Sequence, residues 1–321
     1  MRGLLLLLAV WGSTAWAEAH PPANTSGDWL QRMAAAAVEL HYSGTFTYQR
    51  GEFSETSRIV HRSEGRRGID RIETLSGRPR AVVRVGQDVT WYMPETRTVR
   101  VERDSSRRFF PGLLSPEQAR TVAKFYEVSK ADVDRVAGRD CINVVMTPKD
   151  AFRYTQQICA DQKTLLPLRV VMLNERQERL ESIAFTQIDL PAQIDANDIK
   201  PEAANIAEWS HEAAPAQAVS PWIFRELPAG FTVVSEHQRS LPGRSQPVMH
   251  KVLSDGMVWV SVFIEPNGNT AGMGRGLSQQ GGAGAYTKPL GNHHVTVMGL
   301  VPVRTLVLIG NAVAPRSGTH P

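Results

Sequence analysis

Residues 43–48, Ser43-Gly44-Thr45-Phe46-Thr47-Tyr48, mark the point at which the chain changes its period. Just before them, Trp29, Leu30, Met33, Ala37 and Leu40 recur at helical spacing. Asp28 stands ready to cap that helix, with Gln31 three residues on in a capping-box arrangement. From Thr45 onward apolar and polar residues alternate, and the alternation returns at 57–61, 81–85, 89–93 and 98–101. Gly51, Gly77 and Pro94-Glu95 punctuate these runs as turns. Strands at this spacing, with no helices between them, imply a meandering antiparallel sheet.

Further along, Ser115-Pro116-Glu117-Gln118 breaks the rhythm with a cap and Pro at the first helical position. A short helix is expected to run from there through Phe125 and Tyr126. Strands resume at 132–136, 141–146, 154–159, 166–174 and 179–188, which completes a large first domain over residues 26–200. Residues 201–220 are rich in Ala, include Pro215 and suit a linker. A smaller α+β domain follows over 221–315, with strands at 231–236, 248–253, 257–264 and 295–301. Ser254-Asp255-Gly256 signals a hairpin between the second and third of these. Residues 267–284 read as a Gly-rich mobile loop, and 303–313 as a closing helix of ambiguous period. The fold class expected is α+β, mostly antiparallel β.

Met1 to Ala17 has the three zones of a secretory signal: Arg2, the apolar run from Leu4 to Trp11, and small residues at Ala15 and Ala17. The run falls short of the ~20 apolar residues that a membrane-spanning helix needs. Cleavage after Ala17 and a periplasmic destination are therefore expected, leaving about 300 residues, enough for two ordinary domains. Two cysteines, Cys141 and Cys159, fit an oxidising compartment. A hairpin centred on Asp150 pairs residues whose numbers sum to 300, as 141 and 159 do. Directly opposed residues lie within the Cα range of a disulfide, although two buried thiols satisfy the sequence as well.

Charge is unevenly spread. The chain carries a net +4, and residues 50–110 hold fourteen Arg, nine acidic residues and no Lys. Nucleic acid is an improbable partner for an exported chain. An Arg-rich face suits lipid phosphates or an acidic protein segment, or simply the solvent side of a sheet. No catalytic set emerges: a Gly-x-Ser-x-Gly elbow is missing. His211-Glu212 meets Pro215 where a zinc protease needs its second His. His293-His294 point to opposite faces of a strand, and the run Gly272 to Gly276 lacks the spacing of a phosphate loop. Neither a metal nor a cofactor is expected, and binding is the expected work.

Several of these segments resemble the RseB/MucB family. Phe46 to Gly51, Ile59 to Arg62, Arg71 to Arg80, Val136 to Arg139, Pro148-Lys149-Asp150, Leu166 to Arg169 and Ala184 to Ile188 look like its large domain. Leu227-Pro228-Ala229-Gly230-Phe231, Ser254-Asp255-Gly256, Val260 to Pro266 and Val295 to Gly299 look like its small C-terminal domain. The resemblance implies a large domain like the lipoprotein carriers LolA and LolB, a half-closed antiparallel barrel with helices across its concave side. It also implies a periplasmic negative regulator of a sigma-E-type (AlgU-type) stress response. Such a protein binds the periplasmic segment of a RseA/MucA-type anti-sigma factor and shields it from site-1 proteolysis, until lipopolysaccharide or another lipid relieves the inhibition. Homo-oligomers are left open. Phe46, Tyr48, Trp91 and Tyr92 are the aromatic candidates for a lipid-cavity wall, with ordinary core as the alternative. Trp259, Phe263 and Arg275 are the candidates for partner contact. A periplasmic lipid or lipoprotein carrier is the competing reading, and an exported enzyme the third.

Overall fold

A computed structural model of the chain describes residues 26–65, 67–103, 109–200, 206–212, 220–240, 245–267, 276–280 and 283–316. The expected signal peptide and Arg275 lie outside these residues. The first helix, α1 (Ser26–Glu39), leads into β1 (Tyr42–Arg50), β2 (Phe53–Glu64), β3 (Arg67–Thr74), β4 (Ala81–Val85), β5 (Asp88–Met93) and β6 (Thr98–Arg103). After α2 (Pro116–Val122) come β7 (Tyr126–Val136), β8 (Arg139–Pro148), β9 (Thr155–Asp161), β10 (Pro167–Leu173) and β11 (Arg179–Asp189). The spatial order is β6-β5-β4-β3-β2-β1-β11-β10-β9-β8-β7. Two antiparallel meanders are thus joined where β1 pairs with β11, and the sheet stays open at both ends.

α1 buries Leu30, Met33 and Ala37 against this sheet. Each large apolar side chain so buried contributes about 2 kcal/mol. α2 starts on the capping box that the sequence announces: Gln118 N donates to Ser115 Oγ (3.1 Å) and Ser115 N donates to Gln118 Oε1 (2.9 Å). It stops at Val122, four residues short of the expected end, because Phe125 and Tyr126 leave the helix to pack beneath Arg153.

The linker segment is not wholly irregular. A short β12 (Ser210–Glu212) adds in parallel to β6 and makes the large sheet twelve-stranded. The second unit begins with β13 (Trp222–Phe224) and continues through β14 (Thr232–Arg239), β15 (Val248–Ser254), β16 (Trp259–Pro266), β17 (Gly276–Gln280), β18 (Ala283–Leu290) and β19 (His293–Gly299). It closes with α3 (Val303–Ala312) and β20 (Val313–Pro315), the latter paired with β13. The six-stranded sheet runs β14-β15-β16-β19-β18-β17.

Part of the segment expected to be a mobile loop is therefore strand: β17 and the start of β18 lie within residues 267–284. Gly276, Gly284 and their small neighbours have too little apolar surface to alternate, and their order comes from pairing, β17 with β18 and β18 with β19. α3 is a helix despite Val and Thr, whose helical cost is only a few tenths of a kcal/mol each. Leu306 and Ile309 are fully buried on β18 and β19, which outweighs that cost.

Cys141 and Cys159 form a disulfide with Cα atoms 5.4 Å apart. The register differs from the expected one, because Cys141 faces Asp161 and Asn143 faces Cys159. Paired numbers sum to 302, so the bridge is a diagonal across the hairpin. Strand twist shortens one of the two diagonals enough to be bridged.

Candidate functional site

Five arginines of the Arg-rich stretch are paired with carboxylates of their own sheet. Arg62 pairs with Glu64, Arg71 with Glu73, Arg80 with Glu55, and Arg100 with Glu102. On the α1 face Arg84 Nε donates to Asp70 Oδ2 (2.6 Å), and His61 Nδ1 lies 2.6 Å from Asp70 Oδ1. The other His61 nitrogen sits 3.2 Å from the Val38 carbonyl near the end of α1, and Tyr42 stacks on the ring at 4.5 Å. Burial pushes the Asp70 carboxyl up, but the His61 hydrogen bond and the Arg84 charge outweigh it and hold the group below the usual carboxylate range. This cluster ties the end of α1 to the sheet.

The four cavity candidates do not share one wall. Phe46 is buried in a ring cluster with Phe110 (5.4 Å) and Phe185 (6.2 Å), in the same core as α1. Trp91 meets Phe109 at 6.5 Å. Tyr92 follows Trp91 directly along β5, so it projects from the opposite face of the sheet. Tyr48 lines a large cavity, where its hydroxyl donates to Glu181 Oε2 at 2.7 Å. Burial raises both groups, so the Tyr48 phenol stays protonated and the Glu181 carboxyl titrates above its ordinary value.

That cavity is a groove of about 1320 Å³ between the two sheets. One wall is the β1–β2 turn, with Tyr48, Arg50 and Phe53. The other is the face of the small sheet turned away from α3, with Trp259, Ser261, Thr287, Thr296 and Met298. Strand parity explains the division. Val258, Val260 and Val262 point to the core and are at most 3% exposed, while Trp259, Ser261 and Phe263 project from the other face. Three large apolar side chains are left open along this groove: Phe53 (53%), Met298 (41%) and Trp259 (37%). Leu277, exposed at the groove's rim on the edge strand β17, pairs with Tyr286 and so shares the face of the sheet that α3 covers. Phe263, the second partner candidate, instead stacks on His250 at 4.3 Å, further along the same strand.

Phe53, Leu277 and Met298 were not singled out by sequence reasoning. Leu277 lies in the segment read as a loop, and Phe53 directly after a turn, so neither offered an alternation to follow. Among the described residues no group of three or more His, Cys, Asp or Glu is placed to hold a metal ion, and no helix is long and apolar enough to cross a membrane.

Residues 25–203 match the model of the MucB/RseB N-terminal domain, and residues 216–314 that of the MucB/RseB C-terminal domain. The chain belongs to the MucB/RseB family. It is 31% identical to the Sigma factor AlgU regulatory protein MucB of Pseudomonas aeruginosa, over the whole of both chains. It is 24% identical to the Sigma-E factor regulatory protein RseB of Escherichia coli, over 92% of each. Among solved structures, the Pseudomonas aeruginosa MucA/MucB complex matches with a TM-score of 0.72 at 28% identity, covering 91% of this chain and 99% of that one. MucB in complex with MucA(peri) matches at 0.70 with the same identity, covering 91% of this chain and all of that one. These relatives bear the names of regulatory proteins.

Proposed function

We propose that this protein is a periplasmic negative regulator of sigma-E-type stress signalling, and that its interdomain groove holds the periplasmic segment of a membrane anti-sigma factor. The observation that carries this reading is the cluster of exposed Trp259, Met298 and Phe53 on facing walls of one groove. Large apolar side chains gathered in one patch mark an interaction site far more often than isolated ones do, and Trp is the residue most enriched at binding hot spots. A relative of this family has been solved in complex with MucA(peri), which gives the class of partner. A bound segment keeps the site-1 protease from its substrate by occlusion. A lipid signal, lipopolysaccharide among the candidates, relieves the block by favouring the unbound form, to the extent that it binds the two forms unequally.

The test is calorimetry of the mature protein against the periplasmic segment of its cognate anti-sigma factor, beside a cleavage assay with the site-1 protease. Saturable binding together with slowed cleavage is expected. If neither is seen, the regulatory reading is wrong, and bound lipid in mass spectra of the same preparation would then favour a carrier.

A further inference from the structure

Three short motifs that lie far apart in the sequence meet at the joint between the two sheets. The turn after β8 carries Asp150 and Arg153, the approach to β14 carries Ala229-Gly230-Phe231, and the β15–β16 turn carries Asp255. Arg153 and Asp255 both have fully buried side chains, and Arg153 Nη1 donates to Asp255 Oδ2 at 3.0 Å. The guanidinium also donates through Nε to Asp150 Oδ1 (3.2 Å) and through Nη2 to the Ala229 carbonyl. Phe125 and Phe231 lie over it with ring centres 4.7 and 5.2 Å from Cζ. Beside it, Thr305 Oγ1 of α3 donates to the Phe152 carbonyl at 2.8 Å.

The backbone is shaped to this contact. Gly230 (φ +87°) and Gly256 (φ +101°) occupy the left-handed region. A Cβ on Gly230 would meet the Phe125 ring at 2.5 Å, and one on Gly256 would meet Val122 at 2.8 Å. Both sites therefore exclude a side chain on steric as well as conformational grounds.

Asp255 then passes the constraint on. Its Oδ1 accepts from the amides of Met257 (2.9 Å) and Val258 (3.0 Å), the two residues before Trp259. Met257, Val258 and Trp259 all line the groove. We infer that Arg153 is a positioning residue for partner binding: its plug into the small domain fixes the angle between the two sheets, and with it the distance from Trp259 to the β1–β2 turn. The inference rests on the groove being the anti-sigma site.

The chemistry favours a latch over mere adhesion. A buried ion pair contributes little net stability, yet breaking it by removing one partner is strongly unfavourable, so it specifies one arrangement against others. Arg supplies three directions of donation from one plane, and here each ends on a different segment of chain. A joint without the latch samples other angles, and the apparent Kd rises in proportion to the loss of the competent arrangement.

The experiment uses the full mature protein with Gln87→Cys and Val233→Cys, both exposed and on opposite sides of the joint, carrying spin labels. Distance distributions and the Kd for the anti-sigma segment are read for the parent, R153M, R153K and D255N. D255N keeps the oxygen that accepts from Met257 and Val258, and R153K keeps the charge, so these two test the latch even where R153M does not fold. A broadened or shifted distance together with a roughly tenfold weaker Kd supports the latch, with R153K between the parent and R153M. An unchanged distance in folded variants overturns it, as does an unchanged Kd despite a changed distance. If the parent itself fails to bind the segment, the groove reading falls, while the distances still report on the joint.

Discussion

Under α1 the large sheet meets its own side chains: Phe46 with Phe110 and Phe185, Trp91 with Phe109, His61 with Asp70 and Arg84. The face of the small sheet that looks across the groove mixes Ser261, Thr287 and Thr296 with Trp259 and Met298, and these last two remain exposed. Rings and charges that find partners within the chain stabilise the fold. Apolar side chains that find none keep surface available for burial against another molecule. Of the aromatic residues that composition suggested, Tyr48 lines the groove while Phe46 is buried among Phe110 and Phe185.

This contrast can be broken by substitution. Asp70→Ala leaves Arg84 and His61 buried beside a missing charge, and is expected to cost about 3–5 kcal/mol of unfolding free energy in denaturant titration, with little change in partner Kd once the protein is folded. A large loss of affinity without loss of stability would reverse the roles assigned to the two regions. Removing the disulfide as C141S/C159S should cost about 3 kcal/mol by the same titration, as expected for a loop of its length.

Trp259→Ala should do the opposite. About 2 kcal/mol of binding, some 30-fold in Kd by calorimetry, is expected to go, while unfolding free energy moves by no more than about 0.5 kcal/mol. The smallest effect is that of pH. The Asp70 and Asp161 carboxyls lie below their ordinary value in the folded protein. For Asp161, burial again acts upward and is outweighed by Arg139 and Thr164. Their contribution is thus fully present above the ordinary carboxylate value near 3.8 and is lost as pH falls from there through the folded values. Unfolding midpoints should drop over that acid range, and Asp70→Asn should flatten part of the slope.

Alternation made most of the large sheet legible, because residues such as Val82 and Val89 are buried while their chain neighbours are at least partly exposed. The β1–β11 pairing and the groove were not legible in that way. Both depend on partners more than a hundred residues away, as Phe46 facing Phe185 and Tyr48 reaching Glu181 illustrate. The short, mostly polar β17 and the Ala-Gly-Ala start of β18 carry little side-chain signal to read. Trp259 was singled out by its parity with Phe263, but which face of β16 is core is decided by α3, whose own period was ambiguous.

An open sheet of twelve strands has two ends with unpaired amides, and exposed ends of this kind invite edge-to-edge aggregation. The two are guarded differently. β7 bends through a register shift between Lys130 and Val133 and carries Lys130, Asp132, Asp134 and Arg135 along its exposed length. At the other end β6 is covered by β12, a piece of the very segment that leads to the small domain. The connection therefore works as a stopper as well as a tether. A large domain severed before Ser210 would present the bare edge of β6 to its neighbours.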